Sequence, residues 1–105
     1  MKRYPVTPDG RYFVAKGRLW RCTDPALSEA ERAFWVRELM RARRMVREAK
    51  RTGDAEQLSQ ARKAVDRAKR ALGERGTPWW GEGPDWTGKR VEHTPYRDWW
   101  LALNA

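Results

Sequence analysis

Only one cysteine and one histidine occur in the 105 residues, Cys22 and His93. A single thiol excludes an intrachain disulfide and makes a reducing compartment the simplest home. With no second thiol or imidazole, neither a metal-ligand cluster nor a Cys-His dyad is specified, because the two residues lie in different segments. Cys22 reads as a small buried hydrophobe at a strand end, and His93 as a loop residue. Long apolar runs are also lacking: stretches such as "AFWV" span about four residues, against roughly 20 for a membrane helix. The basic start "MKRYPVTPDGRY" has no apolar run behind it and does not read as a secretory signal. A soluble, cytoplasmic protein without membrane insertion is expected. No glycine-rich phosphate loop is present. Glu82 and Asp85, on a glycine loop flanked by tryptophans, superficially resemble a sugar site, but acids in turns ordinarily serve as solvated turn formers. The expectation is a protein that is not an enzyme and carries no metal or cofactor.

What the chain has in excess is positive charge and tryptophan. Its net charge is +9, with 23 Lys and Arg against 14 Asp and Glu. That balance favours polyanions: nucleic acid first, an anionic membrane surface second, an acidic protein third. A GC-rich coding sequence would also raise Arg, Ala, Gly and Trp together. The charge is unevenly spread. Residues 28–53 hold eight basic and four acidic groups, whereas residues 77–105 hold three and four. Within "RARRMVREAKR", residues 41–51, six basic residues stand against one acid, an excess that i,i+4 pairing cannot absorb.

The length suits one domain, with an α+β, mostly helical fold. Residues 4–22 read as a β-hairpin, in which "RYFVA" and "RLWRC" flank a turn at Lys16-Gly17. Tyr12, Val14, Leu19 and Cys22 against Phe13 and Trp20 do not divide cleanly onto two faces. Two strands alone are marginal, so the hairpin must lie on something. Ser28 three residues before Glu31 is a capping-box signature. Trp35, Leu39, Ala42, Val46 and Ala49 then form one stripe of a helix over 28–51. After the break at Gly53, Asp54 caps a second helix over 54–73, with its stripe at Leu58, Ala61, Val65, Ala68 and Leu72. So short a connection predicts an antiparallel helical hairpin. Residues 77–105 form a Trp-rich tail that ends in a short helix, with Thr94 as its cap and Pro95 at its first position.

Five of the seven tryptophans lie in that tail. Facing water they would give it no reason to be ordered, so most are expected to pin it across the helical hairpin. One ring of the Trp79-Trp80 pair is the candidate free face, suited to base stacking or to a protein anchor. The leading functional expectation is a non-enzymatic basic module that contacts nucleic acid. Arg41, Arg43, Arg44, Arg47 and Arg51 would meet phosphates, and Trp79 or Trp80 would stack. The alternative is a protein-interaction adaptor, possibly a homodimer, that docks through an exposed tryptophan and a Val36/Met40 patch.

The blocks "PVTPDGRYFV…GRLWR" and "GERG…WW…G.PD…TPY" resemble a group of short uncharacterised bacterial proteins, some automatically labelled "biopolymer transporter Tol". The resemblance covers nearly the whole chain. In that group asparagine is common where this chain has His93, and the resemblance implies no catalytic residue. The transporter label is not carried over, because this chain has no apolar span.

Overall fold

The computed structural model describes residues 3–104. The chain divides into two compact units. One is made of residues up to Cys22 together with those from Pro78 onward, the other of Thr23–Thr77.

The Thr23–Thr77 unit is the helical hairpin, with α1 over Glu29–Thr52 and α2 over Ala55–Ala71. Ser28 is extended, and its hydroxyl accepts from the Glu31 N–H at 3.1 Å while the Glu31 carboxylate accepts from the Ser28 N–H at 3.0 Å. The box satisfies two donors that the first helical turn would leave orphaned. The same bonds hold the Glu31 carboxyl below its ordinary value. Gly53 ends α1 at φ 72, a left-handed conformation that suits glycine. Asp54 follows at once as the cap of α2, accepting from the Gln57 N–H at 3.0 Å. Leu39, Ala68 and Leu72 form the buried centre between the helices, with Leu27, Trp35, Val36 and Val65 packed on it. Ala42, Ala49 and Ala61 are buried as well, and their small side chains let the two backbones approach.

The other unit is built on β1, Tyr12–Ala15, and β2, Arg18–Arg21, paired antiparallel. Lys16 and Gly17 both take positive φ, 54 and 75, as a two-residue turn matched to the strand twist requires. The register sets Tyr12 opposite Arg21, Phe13 opposite Trp20 and Val14 opposite Leu19. Tyr12, Val14, Leu19 and Arg21 are therefore the buried face, and Phe13 and Trp20 the outer one. The alternation is clean after all. It was hidden because β2 ends at Arg21 and the fourth inward position is an arginine, not Cys22.

Irregular chain covers both edges of the hairpin. The Thr7 N–H donates to the Tyr12 carbonyl and the Val14 N–H to the Pro5 carbonyl, each at 2.9 Å. On the β2 side, the Leu19 N–H donates to Lys89 O at 3.0 Å and the Val91 N–H to Gly17 O at 3.1 Å. These bonds pair backbone groups that a two-stranded sheet would leave unmet. The tail segment bonded to β2 also carries its neighbouring rings onto the hairpin. Trp80, Trp86, Tyr96, Trp99 and Trp100 pack on Tyr12, Val14, Leu19 and Val91. The expectation set these rings against the helices; in the structure Trp80, Trp86, Tyr96, Trp99 and Trp100 close the core of the β-hairpin.

The last helix, α3, runs over Arg97–Leu103 and starts later than expected, after Tyr96. Thr94 is spent on the single 3-10 turn before it, Val91–His93. Its hydroxyl donates to the Val91 carbonyl at 2.8 Å and accepts from the Tyr96 N–H at 3.3 Å.

Candidate nucleic-acid interface

Because Leu39, Ala42 and Ala49 turn inward on α1, the helical period leaves Arg37, Arg41, Arg43, Arg44, Arg47, Lys50 and Arg51 exposed. Their electrostatic situations differ. Arg51 forks onto Glu48, with Nε 3.1 Å from one carboxylate oxygen and a shorter bond from Nη2 to the other. That pairing lowers the Glu48 carboxyl and raises the Arg51 guanidinium from their ordinary values. Arg41 lies 3.7 Å from Glu38. Among the described residues, Arg37, Arg43, Arg44, Arg47 and Lys50 have no carboxylate within 4.0 Å. They line a stretch of about 20 Å of helix at 1.5 Å per residue. Of the five arginines singled out in the sequence, three are thus unpaired. The other two hold solvent-exposed pairs, weak in water, which a phosphate can displace. Met40 is exposed beside them, whereas Val36 is half-buried on the interhelical cluster.

Trp79 and Trp80 belong to the other unit, and both are half-buried. The Trp79 Nε1–H donates to the Cys22 carbonyl at 2.9 Å. The two rings meet edge to face at 5.0 Å, and Tyr12 meets Trp80 in the same way at 5.2 Å. The guanidinium groups of Arg11 and Arg21 lie 5.2 and 5.6 Å from the Trp80 ring centre. Trp80 packs on the hairpin core, and Trp79 is held against it by its ring contact and its bond to Cys22. The more open aromatic rings lie elsewhere, at Phe34 on α1, 46% exposed, and at Trp20, 39% exposed, and Tyr4, 47% exposed. Tyr4 sits 5.6 Å from Phe13, which is paired across the strands with Trp20. The sequence signal for this outer row is the Lys16-Gly17 turn, because it alone sets which residues alternate outward.

Of the two acids read from the sequence as turn formers or a sugar site, Asp85 has structural work. Asp85 accepts from Arg21 Nη2 at 2.6 Å, from the Tyr12 hydroxyl at 3.3 Å and from the Thr87 hydroxyl at 2.6 Å. Burial pushes the Asp85 carboxyl up, but the Thr87 and Arg21 bonds outweigh it and hold the group below its ordinary value. Asp9 follows the same pattern. Burial is overcome by bonds from Tyr96, at 2.6 Å, and from Thr7 and the Arg11 backbone. Burial and the Asp9 carboxylate in turn push the Tyr96 phenol up. Arg21 is the residue that sequence reasoning missed; a charged side chain at an inward strand position was its only signal. Glu82 and His93 are exposed, and Cys22 is half-buried with its carbonyl taken by Trp79. Among the described residues, no group of three or more His, Cys, Asp or Glu side chains is placed to hold a metal ion, and no helix is long and apolar enough to cross a membrane. Comparison with protein-family profiles, with curated proteins and with solved structures finds no match to this chain.

Proposed function

We propose that the protein is a non-enzymatic basic module that contacts nucleic-acid phosphates through the arginine face of α1. The observation that carries this reading is the row of exposed cations at Arg37, Arg43, Arg44, Arg47 and Lys50, with no carboxylate within 4.0 Å among the described residues. A helix face meant only for solvent gains nothing from five like charges that repel one another, whereas a polyanion releases counterions when it binds them. Contact of this kind reads the backbone and is largely independent of sequence. The reading rests on the cations alone, since Trp79 and Trp80 are half-buried and Trp80 packs on the hairpin core.

The test is fluorescence anisotropy with labelled single-stranded DNA, duplex DNA and RNA, using the wild type and an Arg43→Glu/Arg44→Glu/Arg47→Glu variant. The wild type should bind at about 50 mM salt and lose about two to three decades of affinity by about 200 mM if five phosphates are met. The variant should melt like the wild type and fail to bind. Absence of wild-type binding at low salt sinks the reading. Binding that survives the triple reversal removes α1 as the contact face.

A further inference from the structure

The helical pair leaves a groove of about 400 Å³ lined by Arg43 and Val46 of α1, Arg62 and Val65 of α2, and Arg75 from the turn that follows. Arg43 and Val46 are one helical turn apart, as are Arg62 and Val65, so each helix contributes one guanidinium and one isopropyl group. Arg75 is tethered at the rim, where its Nη1 donates to Asp66 at 3.1 Å. Asp66 also accepts from Arg70 Nε at 2.8 Å, so this carboxylate is already shared by two guanidinium groups. Arg43 and Arg62 have no carboxylate within 4.0 Å among the described residues. Lys69, on the same helix, feels the crowding. Burial first, then the charges of Arg75 and Arg43, lower its ammonium from its ordinary value, with Glu74 opposing. Like charges gathered over an apolar floor are unfavourable for the fold by itself, and an anion relieves them.

We propose that this groove binds one phosphate group carrying an organic body, with the phosphate among Arg43, Arg62 and Arg75 and the body against Val46 and Val65. Guanidinium forks match phosphate oxygens bidentately, and the valines give an apolar ring a surface that a bare ion cannot use. The chemistry is that of a nucleotide unit, free or within a strand. The choice of a nucleotide rests on the nucleic-acid reading above; the charge and lining of the groove do not.

The experiment follows the full-length protein by amide-resolved NMR during titration with adenosine monophosphate, adenosine and inorganic phosphate. Oligonucleotide anisotropy is run in parallel on the wild type, Arg62→Ala and Arg44→Ala. Adenosine monophosphate should shift the amides of residues 43–46, 62–65 and 75, bind about tenfold tighter than inorganic phosphate, and leave adenosine without effect. Arg62→Ala should weaken the nucleotide about tenfold with an unchanged melting curve. Arg44→Ala, outside the groove, should weaken only the oligonucleotide. A nucleotide that shifts nothing at the groove, or binds Arg62→Ala as well as the wild type, overturns the proposal. Equal affinity for nucleotide and inorganic phosphate overturns the apolar seat. Nucleotide binding that depends on Arg62, without oligonucleotide binding, keeps the groove and defeats the nucleic-acid reading. Oligonucleotide binding without nucleotide binding does the reverse.

Discussion

In the β-hairpin unit, Arg21 is buried and meets Asp85 at 2.6 Å, and Asp9 receives the Tyr96 hydroxyl at 2.6 Å. In the helical unit, Arg43, Arg44 and Arg47 stand exposed with no carboxylate partner among the described residues. The first unit uses its charges to lock loops onto a small sheet, across 64 residues of chain between Arg21 and Asp85. The second uses caps and apolar stripes to fold, pairs some arginines on its surface and leaves Arg43, Arg44 and Arg47 over. Charge that folding does not consume marks where recognition is to be sought, and that contrast can be broken or sharpened by substitution.

The largest effect is expected at Asp85. Asp85→Ala removes the carboxylate that meets the buried Arg21 and also accepts from Tyr12 and Thr87, and should destabilise the hairpin unit by about 3 kcal/mol, read by denaturant melts of tryptophan fluorescence. Glu48→Ala, which frees Arg51 on the exposed face of α1, should leave the melts close to those of the wild type. Equal costs at the two positions would erase the contrast.

Alkali should also separate the units. Tyr12 and Tyr96 have phenols raised above the ordinary value of 10.0, first by burial. Each binds its proton more tightly folded than unfolded, so its contribution is complete below pH 10.0 and is lost as pH rises through the folded value. Lys69 in the helical unit, lowered by burial and then by Arg75 and Arg43, acts in the opposite sense and favours the fold as it deprotonates. Tryptophan fluorescence and tyrosinate absorbance should therefore change at lower pH than far-UV helical ellipticity. Coincident transitions would contradict this assignment.

A smaller effect is expected at the start of α1, where Ser28→Ala removes half of the capping box at a cost of about 1 kcal/mol. Circular dichroism melts should show it, and oligonucleotide affinity should not change.

How far the sequence could be read follows the same divide. The helical unit was legible because its signals are local: Ser28 with Glu31, Gly53, Asp54 and two apolar stripes each act within a few residues. The Lys16-Gly17 turn was legible for the same reason. The destination of the tail was not, because the bonds from the Leu19 N–H to the Lys89 carbonyl and from the Val91 N–H to the Gly17 carbonyl join residues some 70 apart in the chain. No periodicity reports such a pairing. Thr94 misled for a related reason, its capping chemistry being real but spent on the turn before α3. At the candidate interface the excess of arginine was legible, while the groove was not. It needs the register of α1 against α2 and the position of Arg75, neither of which is a local property.

The most direct test of the central claim is the salt dependence of duplex DNA affinity for the wild type and for Arg43→Ala/Arg44→Ala/Arg47→Ala. If the uncompensated face of α1 meets phosphates, the slope of log K against log salt should become shallower by about 0.9 for each arginine removed, or about 2.7 in all. A slope that the three substitutions leave unchanged would contradict the account and return these arginines to solvent.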